Sequence, residues 1–541
     1  QANAIVAKLT HQQAVLQRHI DRRQVLSNRY SWLRVIIFFS GLLFGAITFY
    51  TTALWISALV LVVALILFVG TLYLHQRVNN SLRRFQLMQQ IKRTHLARIN
   101  RDWTALPPPL QVDLSYEHPF AADLDLLGPR SLHRLLDSAA TQPGQLRLFS
   151  WLTAQAVPPV ATLTSRQALV RELLPRTLFR DRLTLQGQLL REDHAAWRPD
   201  ELLTWLRERP NSGNLQPWVW ILALLALLNW LLFAADFLTG LGAVWRLSLA
   251  FYVVLQFWHG ETIAATFHEA GTVRGDLERL MQVFQRLERY DYRSTPHLQA
   301  LCAPFTDTAV HPSEHVRRIA RIAAATGVQG NPLLALLLNL FVPWGLYFAW
   351  QLAKEKAELR ELLPTWLDCW AELEALSSLA TFGVLNPQAT FPALTNAGTQ
   401  HSDPLCAVTA LGHPLLPRAE VVRNDFAVAA LGNVVILTGS NMSGKSTFLK
   451  ALALNLCLAF TGGPVDAAHL VTPRLRLFTC IKVSDSVTDG ISYFYAEVRR
   501  LKALLDALQQ EDDLPLFYVV DEIFRGTNNR ERLEGSRAYI R

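Results

Sequence analysis

The sequence predicts two fold classes in one chain: an α/β domain at the C-terminal end, and before it an all-α region that carries apolar helical hairpins. Three observations predict this. A glycine-rich loop, Gly439 to Ser446 (GSNMSGKS), follows the β-branched apolar run Asn433 to Leu437 and precedes the helix-length apolar run Phe448 to Phe460. A second β-rich run, Phe517 to Val520, ends in two adjacent acids, Asp521 and Glu522. Two pairs of apolar stretches, 32–50 with 53–74 and 218–237 with 241–258, are each near the roughly twenty residues needed to cross hydrocarbon.

The loop fits the phosphate-binding pattern G-x-x-x-x-G-K-[ST]. Gly439 and Gly444 let the backbone turn with its N–H groups facing inward, so loop and helix N-terminus form a positively polarised nest for phosphate oxygens. The expected nucleotide contacts run from Gly439 through Ser440, Asn441, Met442, Ser443, Gly444, Lys445 and Ser446 to Thr447. Lys445 reaches the β- and γ-phosphates of ATP, and the Ser446 hydroxyl ligates Mg²⁺. A glycine turn that binds nothing is the bland alternative, and the second motif decides against it. Asp521, at a strand end, is placed to hold Mg²⁺ with Ser446, and Glu522 to orient or deprotonate the attacking water. Lys445 and Glu522 are therefore the expected catalytic residues.

Three segments in order, TGSNMSGKST from Thr438, DSVTDGISYFYAEV from Asp485 and VDEIFRGTNNRER from Val520, resemble the ATPase domain of the MutS family of DNA mismatch-repair proteins. That family is a branch of the ABC-type ATPases whose nucleotide sites form between two subunits. The resemblance implies an α/β P-loop (ABC-type) ATPase domain behind an all-α MutS-like core and lever region, here carrying transmembrane hairpins. It implies a homodimer in which Ser492 touches the γ-phosphate of the partner's ATP. Gly526 and Thr527 match the start of the loop that crosses the dimer interface. The sequence departs from the family in three places. Val421 stands where the family carries an adenine-stacking aromatic, and NNRER (Asn528 to Arg532) replaces the family's Ser-Thr-Tyr-Asp-Gly. The chain also stops at Arg541, before the family's γ-phosphate-sensing histidine, so the ATPase domain is expected to be C-terminally incomplete.

The composition points to a membrane: 51% of the 541 residues are hydrophobic and mean hydropathy is +0.17, high for a soluble ATPase. Five scattered cysteines without a C-x-x-C pair indicate neither a disulfide framework nor a zinc site. In the first apolar pair only Arg34 interrupts the uncharged runs. Arg18, Arg22, Arg23 and Arg29 precede the pair, and Arg77, Arg83, Arg84, Lys92 and Arg93 follow it. The positive-inside rule therefore places both ends, and the ATPase domain, on the cytoplasmic side of a cell membrane crossed several times. These arginines also account for much of the net charge of +8.

The expected organisation is a basic N-terminal segment with the first hairpin (1–106), a helical core and lever domain with the second hairpin inserted (107–400), and the ATPase domain (401–541). Leu124 to Leu174 is similar to the family's core domain, with Arg166 and Gln167 at an expected helix start. Asp236 and Arg246 lie near the turn of the second hairpin, where paired charges are tolerable. A fifth apolar run, Pro332 to Trp350, is expected to stay in or against the cytoplasmic domain, because a fifth span would carry the phosphate loop outside and because Asn339 and Pro343 interrupt it. Gly412, His413 and Pro414 mark the entry to the nucleotide domain, with His413 structural, since it lacks metal-ligand partners at useful spacing. DNA is a partner by resemblance. Ahead of the core, however, stands only the hairpin with short basic helices, and no mismatch-reading domain is found there. The expected activity is Mg²⁺-dependent ATP hydrolysis in a membrane-anchored head-to-tail dimer with a family-implied role in DNA binding and mismatch repair. The alternative is a mechanical or scaffold ATPase acting on membrane or protein partners.

Overall fold

The computed structural model describes all residues except 1, 52–53, 114–117, 191–195, 209–214, 241, 243, 308–310, 326–331, 396–403, 441, 483–492, 511, 525–527 and 541. A largely helical N-terminal region is followed by a smaller C-terminal region built on mixed sheets. Two compact units result. One comprises Gln1–Ala139, Gln145–Leu185 and Ala375–Arg541, and the other Ala140–Gly144 and Gln186–Glu374.

The first unit begins with two of the longest helices in the chain, Ala2–Thr51 and Leu54–Asn100. At 1.5 Å per residue the first is about 75 Å long, well beyond a span, because the polar flanks of the apolar run are also helical. The pair has two different interfaces. In the apolar half the helices approach through glycine: a Cβ on Gly41 would lie 2.7 Å from that of Ala64, and Ser57 donates to the Gly45 carbonyl at 3.1 Å. In the polar half the contacts are hydrogen bonds and ring stacking, with Ser27 donating to Asn79 at 2.7 Å, Gln89 to Gln17 at 2.7 Å, and His19 stacked on Phe85. Trp32, Phe39, Leu65 and Ile66 are exposed. The helices Asn3–Thr51, Leu54–Asn100 and Gln216–Thr239 are each long and apolar enough to cross a membrane; Val244–Trp258 is apolar but shorter.

The base of this hairpin is wired into the unit. Lys92 pairs with Asp181, Arg98 donates to the Leu135 carbonyl at 3.0 Å, and Arg101 donates to the Pro414 carbonyl at 2.9 Å and to Asn386 at 3.2 Å. Burial lowers the Arg98 and Arg101 guanidinium pKa values to about 10, so both stay charged at neutral pH on carbonyl acceptors. Arg166 and Gln167 lie inside the helix Val160–Leu173, not at its start. That helix begins after Pro159, which has no N–H to leave unsatisfied there.

Strands β1 (Ala393–Thr395), β2 (Cys406–Leu411), β3 (Asn424–Val428) and β4 (His469–Pro473) form a sheet in the order β1-β4-β2-β3, parallel only between β1 and β4. Strands β5 (Arg476–Cys480) and β6 (Leu516–Val520) form a separate parallel pair. The run Asn433–Leu437, expected as a strand, carries none. A strand is defined by its neighbour's N–H and C=O groups, and among the described residues this run pairs with no strand; Val434, Val435, Ile436 and Leu437 are exposed.

The second unit holds the second apolar hairpin, Gln216–Thr239 and Val244–Trp258, turned by Gly240 in the left-handed region at φ 69°. Asp236 at this turn accepts from the Trp245 indole at 3.0 Å, and Arg246 lies over the Trp245 ring. The fifth apolar run is split: Pro332–Phe341 ends ahead of Pro343, and a new helix, Trp344–Leu385, begins. Asn339 accepts from the Gly345 amide at 2.9 Å and its carbonyl takes the Tyr252 hydroxyl at 2.7 Å. Leu346 and Ala349 are buried with Val219, Leu222, Tyr252 and Leu255 of the hairpin. The run therefore packs on the second hairpin.

Candidate nucleotide site

The glycine loop lies ahead of the helix Lys445–Thr461, whose residues from Ala451 to Thr461 are all buried. The turn depends on two unusual backbone positions, Gly444 at φ 89° and Met442 at φ 65°. Gly444 is at the helix N-cap, where a side chain would be strained. At Gly439 a Cβ would sit 2.9 Å from Ser443 Oγ, so a side chain there would require the serine hydroxyl to shift. Lys445 folds back over the loop and donates to the Gly439 and Ser440 carbonyls at 2.9 and 2.8 Å. A backbone closed this tightly around an exposed ammonium suits phosphate oxygens, which would take over those two hydrogen bonds. Ser440, Met442, Ser443 and Gly444 are exposed, Ser446 and Thr447 follow on the first helical turn, and Asn441 lies outside the described residues.

Asp521 follows β6 directly, its amide held by the Cys480 carbonyl at 2.9 Å, and its side chain is half-buried. Glu522 and Phe524 adopt positive φ values of 49° and 55°, so the backbone after the strand makes a strained turn. The strand end expected to present the two acids is thus present. The glycine loop and the acids lie in the same compact unit. Ser492, Gly526 and Thr527 lie outside the described residues. Val421 is half-buried, and the nearest aromatic in sequence, Phe426, packs edge-on against Phe448 three residues into the helix after Lys445.

Behind the loop stands a polar scaffold that the sequence reading did not single out. Asp125, itself at φ 51°, accepts from Lys450 at 3.2 Å and from Lys482 at 2.5 Å, tying the helix Lys445–Thr461 to the end of β5. Asp123 takes the Thr479 hydroxyl at 2.7 Å and the Ile481 amide at 3.0 Å, and burial pushes its carboxyl pKa up. Their partners lie more than 300 residues away, and no local pattern announces such a pairing. The Gly412-His413-Pro414 turn is locked in similarly. Asn455, from the middle of the buried helix, donates to the Gly412 carbonyl at 2.9 Å and accepts from the Asp466 amide at 2.6 Å, while Arg423 pairs with the Asp466 carboxylate. A Cβ on Gly412 would collide with that carboxylate. His413 accepts from the Leu415 amide through Nδ1, and burial, with Lys450 nearby, lowers its pKa to about 4, as a structural histidine requires.

Residues 435–540 match the family described as MutS domain V. Among curated proteins, the chain is 37% identical over 115 residues to the DNA mismatch repair protein MutS of Fusobacterium nucleatum, covering 21% of this chain and 12% of that protein. It is 35% identical over 122 residues to the DNA mismatch repair protein MutS of Natronomonas pharaonis, covering 22% of this chain and 14% of that one. The likeness is confined to the C-terminal part, and the chain spans a small fraction of these relatives' length. That part includes the glycine loop, the helix behind it and the β6 acids, and in it the chain is similar to the MutS family.

Proposed function

We propose that the chain is a membrane-anchored MutS-type ATPase. The observation that carries this reading is the loop Gly439–Ser446, closed around Lys445 and opening onto a buried helix, in one unit with the acids that end β6. Lys445 and the loop amides would hold the phosphates of ATP, and Ser446 and Asp521 would hold Mg²⁺. Mg²⁺ would offset charge on the phosphate oxygens. Glu522, on its strained turn, would position the attacking water and accept its proton. Ser492 of a second copy would complete the site, making the working form a head-to-tail homodimer. The apolar hairpins would anchor the protein in a cell membrane with its ATPase domain cytoplasmic, consistent with the basic residues at the hairpin's polar end.

The relatives' names bring DNA mismatch repair to this chain as a proposal, with duplex DNA as a partner. A second reading is favoured by the outward-facing apolar hairpin and its wiring, through Arg101, to the turn at Pro414. In that reading ATP moves the membrane helices and acts on membrane or protein partners. The experiment uses the intact protein in lipid nanodiscs. Glu522→Gln is expected to keep ATP binding and lose turnover by about 10²- to 10⁴-fold, whereas Lys445→Ala loses binding itself. Unchanged hydrolysis in Glu522→Gln would refute the assignment of the base. Duplex binding that weakens steeply with salt supports the DNA reading, and its absence at low salt leaves the mechanical one.

A further inference from the structure

Outside the nucleotide site, one cluster of side chains has the composition of a metal centre. His315, on the helix Pro312–Ala325, faces Glu355 and Glu358, one turn apart on the helix Trp344–Leu385. One ligand atom from each lies within 4.8 Å of the others. His315 Nδ1 is 4.0 Å from Glu355 Oε2 and 3.9 Å from Glu358 Oε2. Those separations exceed a hydrogen bond. Tetrahedral ligand atoms about 2.0–2.2 Å from a shared ion stand about 3.3–3.6 Å apart, so a side-chain shift of a few tenths of an ångström brings these atoms onto a common cation.

The orphaned atoms point the same way. His315 Nδ1 and Glu355 Oε2 are buried and have no hydrogen-bond partner. Leaving an imidazole nitrogen and a carboxylate oxygen dry and unmatched is costly, so a buried pair of this kind calls for a third party. The surroundings hold the ligands in place. Glu288 caps the His315 helix by accepting the Ser313 amide at 2.7 Å and hydroxyl at 2.6 Å. Arg318 lies 3.8 Å from Glu355 Oε1, which occupies that oxygen and leaves Oε2 aimed at His315. Trp366 packs against the imidazole ring.

We propose that His315, Glu355 and Glu358 bind a first-row divalent metal ion of the Zn²⁺ type, with water completing the coordination. The imidazole disfavours Mg²⁺ and Ca²⁺, which take oxygen ligands, and sets this site apart from the one proposed beside the nucleotide. The ion would cross-link the two helices between residues 315 and 355. Its effect is stabilisation of the helical unit by a bond absent in the unfolded chain.

The test uses the full chain in detergent, stripped with chelator and kept free of nucleotide. After addition of Zn²⁺ and desalting, the wild-type protein is expected to retain one equivalent by mass spectrometry, Co²⁺ should give a low-coordinate visible band, and Zn²⁺ should raise the melting temperature. Glu355→Gln and Glu358→Gln preserve side-chain shape and should weaken retention by at least about tenfold, as should His315→Ala. Metal-free melting of each variant near that of metal-free wild type shows that folding is intact, and the two Gln variants decide the matter if His315→Ala misfolds. Ser446→Ala should retain Zn²⁺ like wild type. No retained Zn²⁺, or equal retention in wild type and both Gln variants, overturns the proposal and leaves a bridging water between the three side chains.

Discussion

Two apolar regions of this chain meet opposite fates. In the helix Lys445–Thr461 every residue from Ala451 onward is buried, whereas the most apolar windows of the first hairpin are only 6% and 11% buried. A helix that is apolar all round belongs either inside a large protein or in lipid, and composition does not say which. What separates the two is the supply of neighbours. The helix Lys445–Thr461 is met by the Gly412 turn through Asn455, and at its end Gly462 fits against Arg166 and the Leu163 carbonyl. In the first hairpin's apolar half the two helices pack on each other, approaching through Gly41 and Gly45. The hairpin's outer faces are apolar and exposed.

The strongest way to break that contrast is topology, where the expected outcome is all-or-none. If both hairpins cross the membrane, a cysteine replacing Thr51 or Thr239 in a chain stripped of native cysteines reacts with an impermeant thiol reagent from outside, and one replacing Ser81 does not. Release of the whole protein by alkaline carbonate would mean that no helix spans, and the hairpin's exposed face would then need a protein partner.

A matched pair of truncations sharpens the contrast next. Leu456 is fully buried and Leu65 is 61% exposed. Leu456→Ala should cost about 2–5 kcal/mol of unfolding free energy, through lost transfer energy and a residual cavity. Leu65→Ala should change it by less than about 0.5 kcal/mol in detergent. Equal effects at the two positions would show that the hairpin's outer face is packed in the working protein.

Much of this was legible in the sequence where local signals were enough. The runs that became the helix Lys445–Thr461 and β6 were visible from their apolar content, and Asp521 and Glu522 do follow the strand. The apolar run at 433–437 looked equally strand-like and is not one, because strand character depends on partners that the run itself does not encode. Pro343 did interrupt the fifth run, but its packing on the second hairpin depends on Tyr252 and Asn339, 87 positions apart. Asp125 was invisible as a tether for the same reason: Lys450 lies 325 residues on.

A smaller effect is expected from pH at the Gly412-His413-Pro414 turn. The pKa of His413 falls from 6.5 to about 4 in the folded protein, chiefly through burial, so the unfolded chain binds the proton more readily. Stability from this group is therefore complete above pH 6.5 and is lost as pH falls towards 4. The loss has an upper bound of about 3 kcal/mol. His413→Gln should flatten the melting temperature across this window. A variant as pH-sensitive as wild type would show that His413 is not the group responsible.

The smallest expected effect tests how the first hairpin is held together. Ser57 is buried between the two helices, and its hydroxyl donates to the Gly45 carbonyl at 3.1 Å, a group already engaged in the helix ladder. In water such a bond would compete with solvent. Between membrane helices the competitor is another polar group on the same chain, which is why interhelical hydrogen bonds there average only about 0.6 kcal/mol. Ser57→Ala should therefore weaken the hairpin by about that amount, and the glycine approach at Gly41 and Gly45 should carry the rest. Gly41→Leu offers the contrast, because its side chain must occupy space already filled by Ala64 and should cost about 1–3 kcal/mol. If, in lipid, Ser57→Ala proves the more damaging of the two, the hairpin is held by hydrogen bonding, and its apolar half is better understood as a polar-stapled pair than as helices packed glycine to alanine.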